Sequence, residues 1–403
     1  MRSKAAWFAG AVIAAVAAVF LLWPRPAEPP AAGLQQELEQ IVAKTVAGDA
    51  AVRNCVLSVM TGDGSFEWTG AAGVARHGDA SPMTADTPVY IASVTKLYTV
   101  TAILVLQERG ALSLDEPMAK YLPSQLIRGV HRYNGLDYSD RITIRQLASH
   151  RSGIADYYEE KGSDGKSLFE LLEEQPGRTW TVDDTIARAR TLPAHFVPGT
   201  QTFYSDTNFQ LLGKIIEAVT GKPLHAVFQE FFFDPLHLTH TRLGRTGPGA
   251  SSNPADVFHG GHDITEMRGN DAYWADGGIV STAREMNVFL KALAEGRIIR
   301  PESVQSLHDW HPWQFPLRYG LGTMYFDLPR SFAAASGLRP LWGHSGSTGS
   351  FLYRSDDLDL YMAGTLDQTE SKVKAFLLMR QVMRVFEARR RGQRAAATER
   401  SGS

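Results

Sequence analysis

The apolar positions along the chain fall into three regimes. From Ala5 to Trp23 neither charge nor proline interrupts the sequence. A helix over that run, at about 1.5 Å per residue, is long enough to cross a bilayer core. Pro24, Pro26, Pro29 and Pro30 follow, so residues 24–33 read as a stiff linker.

The second regime begins at Leu34, where Leu34, Leu38, Ile41 and Val42 recur at helical spacing. Cys55–Met60 and Ser65–Ala72 flank Thr61-Gly62-Asp63-Gly64, a hairpin pattern. Val89-Tyr90-Ile91 is extended, and Ala92-Ser93 opens a helix with Leu97, Thr101, Leu104 and Val105 on one mainly apolar face and Gly110 as its stop. Residues 120–200 are irregular, with helical pieces at Ile144–His150 and Ser167–Glu174. Further helices are expected at Leu211–Val219, closed by Thr220-Gly221, and at Arg284–Glu295, entered from Ser281-Thr282. In the third regime Leu341–Ser345, Phe351–Arg354 and Tyr361–Leu366 predict three strands. A last helix follows through Val373, Phe376, Leu377, Arg380 and Val382–Phe386.

Strands thus cluster at both ends with helices between. This predicts an α/β fold of the α+β kind: an antiparallel sheet built from both termini, flanked by helices, with a mostly helical insertion. The domain covers 34–386, its sheet part about 34–90 and 296–386 and its helical part about 91–295. Residues 387–403, basic and then rich in Ala, Ser and Gly, read as a disordered tail.

Composition changes this picture little. The net charge of −2 over 403 residues argues against nucleic-acid binding. The single cysteine, Cys55, excludes an intrachain disulfide and reads as a small buried apolar residue. Arg2 and Lys4 before the apolar run place everything after Pro24 outside the cell, so the domain is expected to be exported. Residues 1–23 are a cleaved signal peptide or, as the length and Trp23 favour, a membrane anchor.

Three short words carry candidate chemistry: Ser93-Val94-Thr95-Lys96, Tyr204-Ser205-Asp206 and His344-Ser345-Gly346. On a helix, residues three apart share a face, so Lys96 stands beside the Ser93 hydroxyl. A serine needs a neighbouring base to become a nucleophile, and a desolvated lysine can serve. Two other S-x-x-K matches start at Ser163 and Ser371. Only Ser93 lies between a strand-like run and a long amphipathic helix.

With these words, the chain resembles the serine β-lactamase/DD-peptidase-type hydrolases, in the branch of class C β-lactamases, D-alanyl-D-alanine carboxypeptidases, D-aminopeptidases and related esterases. The resemblance spans about Leu34 to Phe386. It also rests on Ile144–Ile154, Pro198-Gly199-Thr200, Asn208–Gly213 and Gly277–Thr282. It implies the β-lactamase/transpeptidase-like fold and an acyl-enzyme on Ser93, with Lys96 and Tyr204 moving the proton, either of them being the general base. It implies that the strand from His344 to Ser347 lines the site and that the Ser93 and Ser347 amides form an oxyanion hole. Gly346 is expected to let a substrate backbone approach that strand. It further implies a small-molecule or peptide substrate, a peptidoglycan-derived peptide among the candidates, a monomer, and no cofactor.

Asp206 departs from the Tyr-x-Asn usual in that family. A carboxylate only accepts hydrogen bonds, whereas an asparagine amide also donates. The substitution predicts a preference away from acylamido substrates such as penicillins, towards an ammonium-bearing substrate or a simple ester. The plainer reading is that Asp206 holds Lys96 in place. His259 and His262 flank a Gly-Gly loop and are expected to be loop residues rather than metal ligands. His308 and His311, near Trp310 and Trp313, are expected in a surface loop or substrate wall. The main reading is an exported serine hydrolase cleaving an ester, amide or peptide bond. The alternatives are a class C-like β-lactamase and a non-catalytic binder of cell-wall peptides.

Overall fold

The computed structural model describes residues 33–401 apart from 79, 176, 245–252, 266–271, 328–338 and 371. The apolar run at 5–23 and Ser371 of the third S-x-x-K match lie outside the described residues. Among the described residues no helix is long and apolar enough to cross a membrane.

The hairpin strands Asn54–Thr61 and Glu67–Arg76 join the C-terminal strands in one nine-stranded antiparallel sheet. Its order is His311–Gln314, Leu317–Tyr319, Met324–Phe326, Trp342–Ser345, Phe351–Ser355, Leu360–Thr365, Asn54–Thr61, Glu67–Arg76 and Ser81–Pro82. The two ends of the chain meet where Val56 pairs with Thr365 and Met60 with Tyr361. Both faces of this central pair are covered, so the strands are apolar on both sides while keeping period two. Leu57, Val59 and Met362 pack with Leu38 and Val42 of the first helix, Leu34–Ala47, and with Leu378 and Val382 of the last. Val56, Met60 and Ala363 face the helical layer on the other side, which includes Phe289 of the helix Ala283–Ala294. The buried polar Ser58 on that face is satisfied, since Asn287 Nδ2 donates to its carbonyl at 3.0 Å and to its hydroxyl at 3.1 Å.

The last helix runs from Lys372 to Ser401, so the described part of the segment expected as a disordered tail, 387–401, is helical. Arg389 pairs with Glu37 at 2.6 Å, and Phe386 meets Phe66 edge-on at 5.8 Å. Arg, Ala and Glu are strong helix formers. The start of this stretch is held on the first helix through Arg389.

The helix Thr95–Glu108 is buried on every side from Thr95 to Leu106, not on one face. Its polar side chains are matched locally: Thr99 Oγ1 donates to Ala275 O at 2.6 Å, Thr101 Oγ1 to Leu97 O at 2.7 Å, and Thr95 Oγ1 accepts from Ile279 N at 3.1 Å. The helix expected at Leu211–Val219 begins earlier, at Asp206. Its polar first turns escape the apolar pattern because they bury into partners, Asn208 Oδ1 accepting from Ser152 at 2.6 Å and Gln210 Nε2 donating to Ala272 O at 2.8 Å.

Candidate active site

A one-turn 3-10 helix, Ala92–Val94, carries Ser93 at the mouth of the buried helix. Ala92 before it has φ +47°, a left-handed conformation that costs an alanine about 1–2 kcal/mol. Neighbours hold it there. Ile91 N donates to Ile279 O at 3.1 Å, Ser350 Oγ to Ile91 O at 2.7 Å, and Thr348 Oγ1 to Tyr90 O at 2.9 Å. Gly346 presses against this turn. A Cβ there would stand 2.5 Å from Ile91 O and 3.0 Å from the Ala92 Cβ. The glycine expected to make room for a substrate therefore makes room for the nucleophile's own backbone.

Lys96 is completely buried, and three acceptors surround its ammonium. Ser93 Oγ lies at 3.0 Å, the Asp276 carbonyl at 2.7 Å, and the Asp206 carboxylate at 2.6 Å. Burial pushes the Lys96 ammonium down, but the charges of Asp206 and Asp276 outweigh it and hold it above the ordinary lysine range. Asp276 in turn accepts from Tyr157 OH at 2.6 Å and from Trp274 N at 2.9 Å. Burial, then the Asp206 charge, raise the Asp276 carboxyl to about 6. Asp156 accepts from the Asp206 amide at 3.0 Å and is pushed well up by burial and by the same charge. One carboxylate, that of Asp206, thus contacts the ammonium directly, with the Asp276 and Asp156 carboxyls behind it.

Tyr204 lies close enough to Ser93 for the hydroxyl to act on its phenol. Its ring stacks on Trp313 at 5.4 Å and lies 4.2 Å from the His150 ring. Burial and the Asp206 charge raise its phenol well above the usual tyrosine range, so it sits in the site as a proton donor.

His344 stands behind this wall. It is fully buried, its Nδ1 is 2.7 Å from Ser345 O, and its Nε2 is 3.0 Å from Tyr319 OH. A carbonyl only accepts, so Nδ1 carries the proton and Nε2 takes the one offered by Tyr319. Burial, reinforced by the Lys96 charge, lowers the His344 imidazole to about 3. The residue is neutral at physiological pH. Ser345 Oγ bonds Tyr353 OH at 2.8 Å. The turn after it is closed by Gly346 N to Ser350 O and Gly349 N to Gly346 O, bonds that do not involve the Ser347 amide. The Ser93 amide precedes Thr95, whose N–H bonds back to Ala92 O.

The other candidates lie apart. Lys166 of the second S-x-x-K match pairs with Glu174 at the surface. His259 and His262 oppose each other in a small hairpin, with His259 Nδ1 2.7 Å from Thr369 Oγ1. Among the described residues no cluster of three metal-ligating side chains occurs. His311 opens the edge strand that carries Trp313, while His308 stacks on Trp310.

Residues 38–382 match the beta-lactamase family. The chain belongs to the beta-lactamase family. Within it, the chain is similar to esterase EstB of Burkholderia gladioli, 31% identical over 183 residues, which cover 45% of this chain and 44% of the esterase. The matched region is a little under half the length of that curated relative. Among solved structures, a D-stereospecific amidohydrolase from Streptomyces sp. superposes with TM-score 0.66 at 28% identity, over 84% of this chain and 97% of that one. The D-amino acid amidase of Ochrobactrum anthropi SV3 has TM-score 0.73 at 22% identity, covering 89% and 99%, a likeness of fold.

Sequence reasoning misses Asp156, Tyr157, Asp276, His150, Trp313 and Tyr319. Asp276 immediately precedes the Gly277–Thr282 phrase, and His150 and Tyr157 lie in or just after Ile144–Ile154. The phrases that mark this family therefore point at the shell around Lys96. Tyr319 had no such flag, and Trp313 only its place beside His311, because strands of three or four residues are too short to show a period.

Proposed function

We propose that this chain is an exported serine hydrolase that forms an acyl-enzyme on Ser93 and acts on esters or amides whose acyl part is neutral or bears an amine. The observation that carries it is the 3.0 Å contact between Ser93 Oγ and the buried Lys96 Nζ at a helix mouth, with Tyr204 nearby. A carbonyl carbon held over Ser93 meets the nucleophile on one side, and the Ser93 and Ser347 amides receive the developing oxyanion. Tyr204 is placed to protonate the leaving group.

The substrate class follows from charge. The third-motif position holds a neutral histidine, not a cation that would attract a substrate carboxylate. Asp206, where the family resemblance implies an asparagine, repels one and cannot donate to an acylamido carbonyl. An esterase and a D-stereospecific amidohydrolase among the similar proteins fit this class. The apolar run at 5–23 supports export, with the domain tethered outside the membrane.

The test is labelling of the purified protein with a fluorescent fluorophosphonate beside Ser93→Ala, then turnover of p-nitrophenyl esters, D-amino-acid amides and nitrocefin. Serine-dependent labelling with ester or amide turnover is expected. Nitrocefin as the preferred substrate overturns the substrate class. No labelling by phosphonate or penicillin makes the chain a binder.

A further inference from the structure

We propose that Asp206 is the acceptor of the Ser93 proton during acylation and that Lys96 is the relay between them. The proposal rests on the acyl-enzyme reading above and adds the identity of the base. Its ground is geometric: one Nζ touches both Ser93 Oγ, at 3.0 Å, and the Asp206 carboxylate, at 2.6 Å.

The two groups expected to serve as base both begin in the wrong protonation state. Lys96 donates to three acceptors and has no lone pair free. Tyr204 holds its proton. Asp206 is an acceptor already in contact with the relay, and 14% of its side chain remains open. The titratable groups packed around the pair come from every neighbouring element: Asp156, Tyr157, Tyr158 and His150 from the segment after Ala148, Tyr273 and Asp276 before the strand Ile279–Ser281, Tyr319 and His344 from the sheet, and Tyr204 beside it.

The step balances as follows. One Nζ–H proton passes to the Asp206 carboxylate, leaving a neutral amine that rotates about its Cε–Nζ bond to face Ser93. Ser93 Oγ forms its bond to the carbonyl carbon, the carbonyl π pair moves onto oxygen, and the hydroxyl proton goes to Nζ. Lys96 ends as an ammonium and Asp206 as an acid. When the oxyanion collapses and the bond to the leaving group breaks, that group takes a proton from Tyr204. The phenol is refilled by the proton stored on the pair. No proton is exchanged with solvent: the pair gains the Ser93 proton at the addition step and gives it up when the Tyr204 phenol is refilled.

That last point is measurable. The second-order rate of fluorophosphonate labelling at Ser93 is followed from pH 7 to 9 in the wild-type chain and in Asp206→Asn. The wild-type rate is expected to be flat, because the reactive form never has to lose a proton to water. In Asp206→Asn, Lys96 must first release its proton to solvent. Its rate is expected to fall about a hundredfold at pH 7 and then climb about tenfold per pH unit. A purely structural role for Asp206 would lower the rate equally at every pH. A wild-type rate that itself climbs tenfold per pH unit overturns the proposal, even if the variant does not fold. So does a folded Asp206→Asn protein with the wild-type rate and profile, or with a faster rate at pH 7. Failure of the wild-type protein to label at all would instead refute the acyl-enzyme reading.

Discussion

The Lys96 ammonium lies closer to Asp206, at 2.6 Å, than to the Ser93 hydroxyl it serves, at 3.0 Å. A fully buried charge whose partner is removed is costly, about 3–5 kcal/mol in buried pairs. The pair should therefore be strongly coupled in stability. In denaturant unfolding at pH 7, Asp206→Leu and Lys96→Met are each expected to destabilise. The double variant should be less destabilised than their sum by about 2–3 kcal/mol. Coupling under about 0.5 kcal/mol would show that water screens the pair.

Gly346 and Ile91 make a second prediction. Gly346→Ala puts a methyl 2.5 Å from the Ile91 carbonyl, a backbone atom held at both ends, so the turn 346–350 must shift off the Ser93 turn. The expected cost is about 1–3 kcal/mol of stability, of the order seen for overpacking. Phosphonate labelling should fall at least about tenfold, since the Ser347 amide moves with the turn. A labelling rate equal to wild type would separate the turn from the oxyanion hole.

Trp313 lies against Tyr204 with planes 23° apart, on an edge strand and half-buried. Trp313→Ala should leave the melting temperature nearly unchanged. It should lower kcat for p-nitrophenyl esters about tenfold by loosening the proton donor. A change confined to KM would assign Trp313 to substrate contact alone.

His344 supplies a pH dependence. Its imidazole falls from 6.5 to about 3 on folding, chiefly through burial. Between those values the unfolded chain binds a proton that the folded one refuses, so its contribution is fully present above pH 6.5 and is lost as pH falls towards 3. Asp276, raised on folding to about 6, works in the opposite sense below pH 6, so the comparison must be between variants. Wild-type stability relative to His344→Gln should decline by about 1.4 kcal/mol per pH unit from pH 6 to pH 4. Parallel curves would mean the imidazole is charged in the folded protein.

Most of the framework was legible in the sequence because it is written in local periods. The hairpin at 54–76, the strands from 342 to 365, the nucleophile turn and the capped helices each follow from apolar spacing and a turn or cap residue. Ser93, Lys96, Tyr204 and Asp206 were legible as words, and the structure brings all four to one place. The last helix beyond Phe386 and the early start of the helix at Asp206 were not, since charged or polar residues there are stabilised by partners far away in sequence.

By itself, then, the sequence determined which short segments fold and which side chains carry reactive groups. Only the tertiary structure decided their protonation. Whether Lys96 is an amine or an ammonium depends on its burial and on Asp206 and Asp276, which arrive from two separate segments. Whether His344 is a cation or a neutral acceptor depends on the layer that buries it and on the Lys96 charge. Charge state is set by desolvation and by neighbours within a few ångströms, and neither is a property of adjacent residues in the chain.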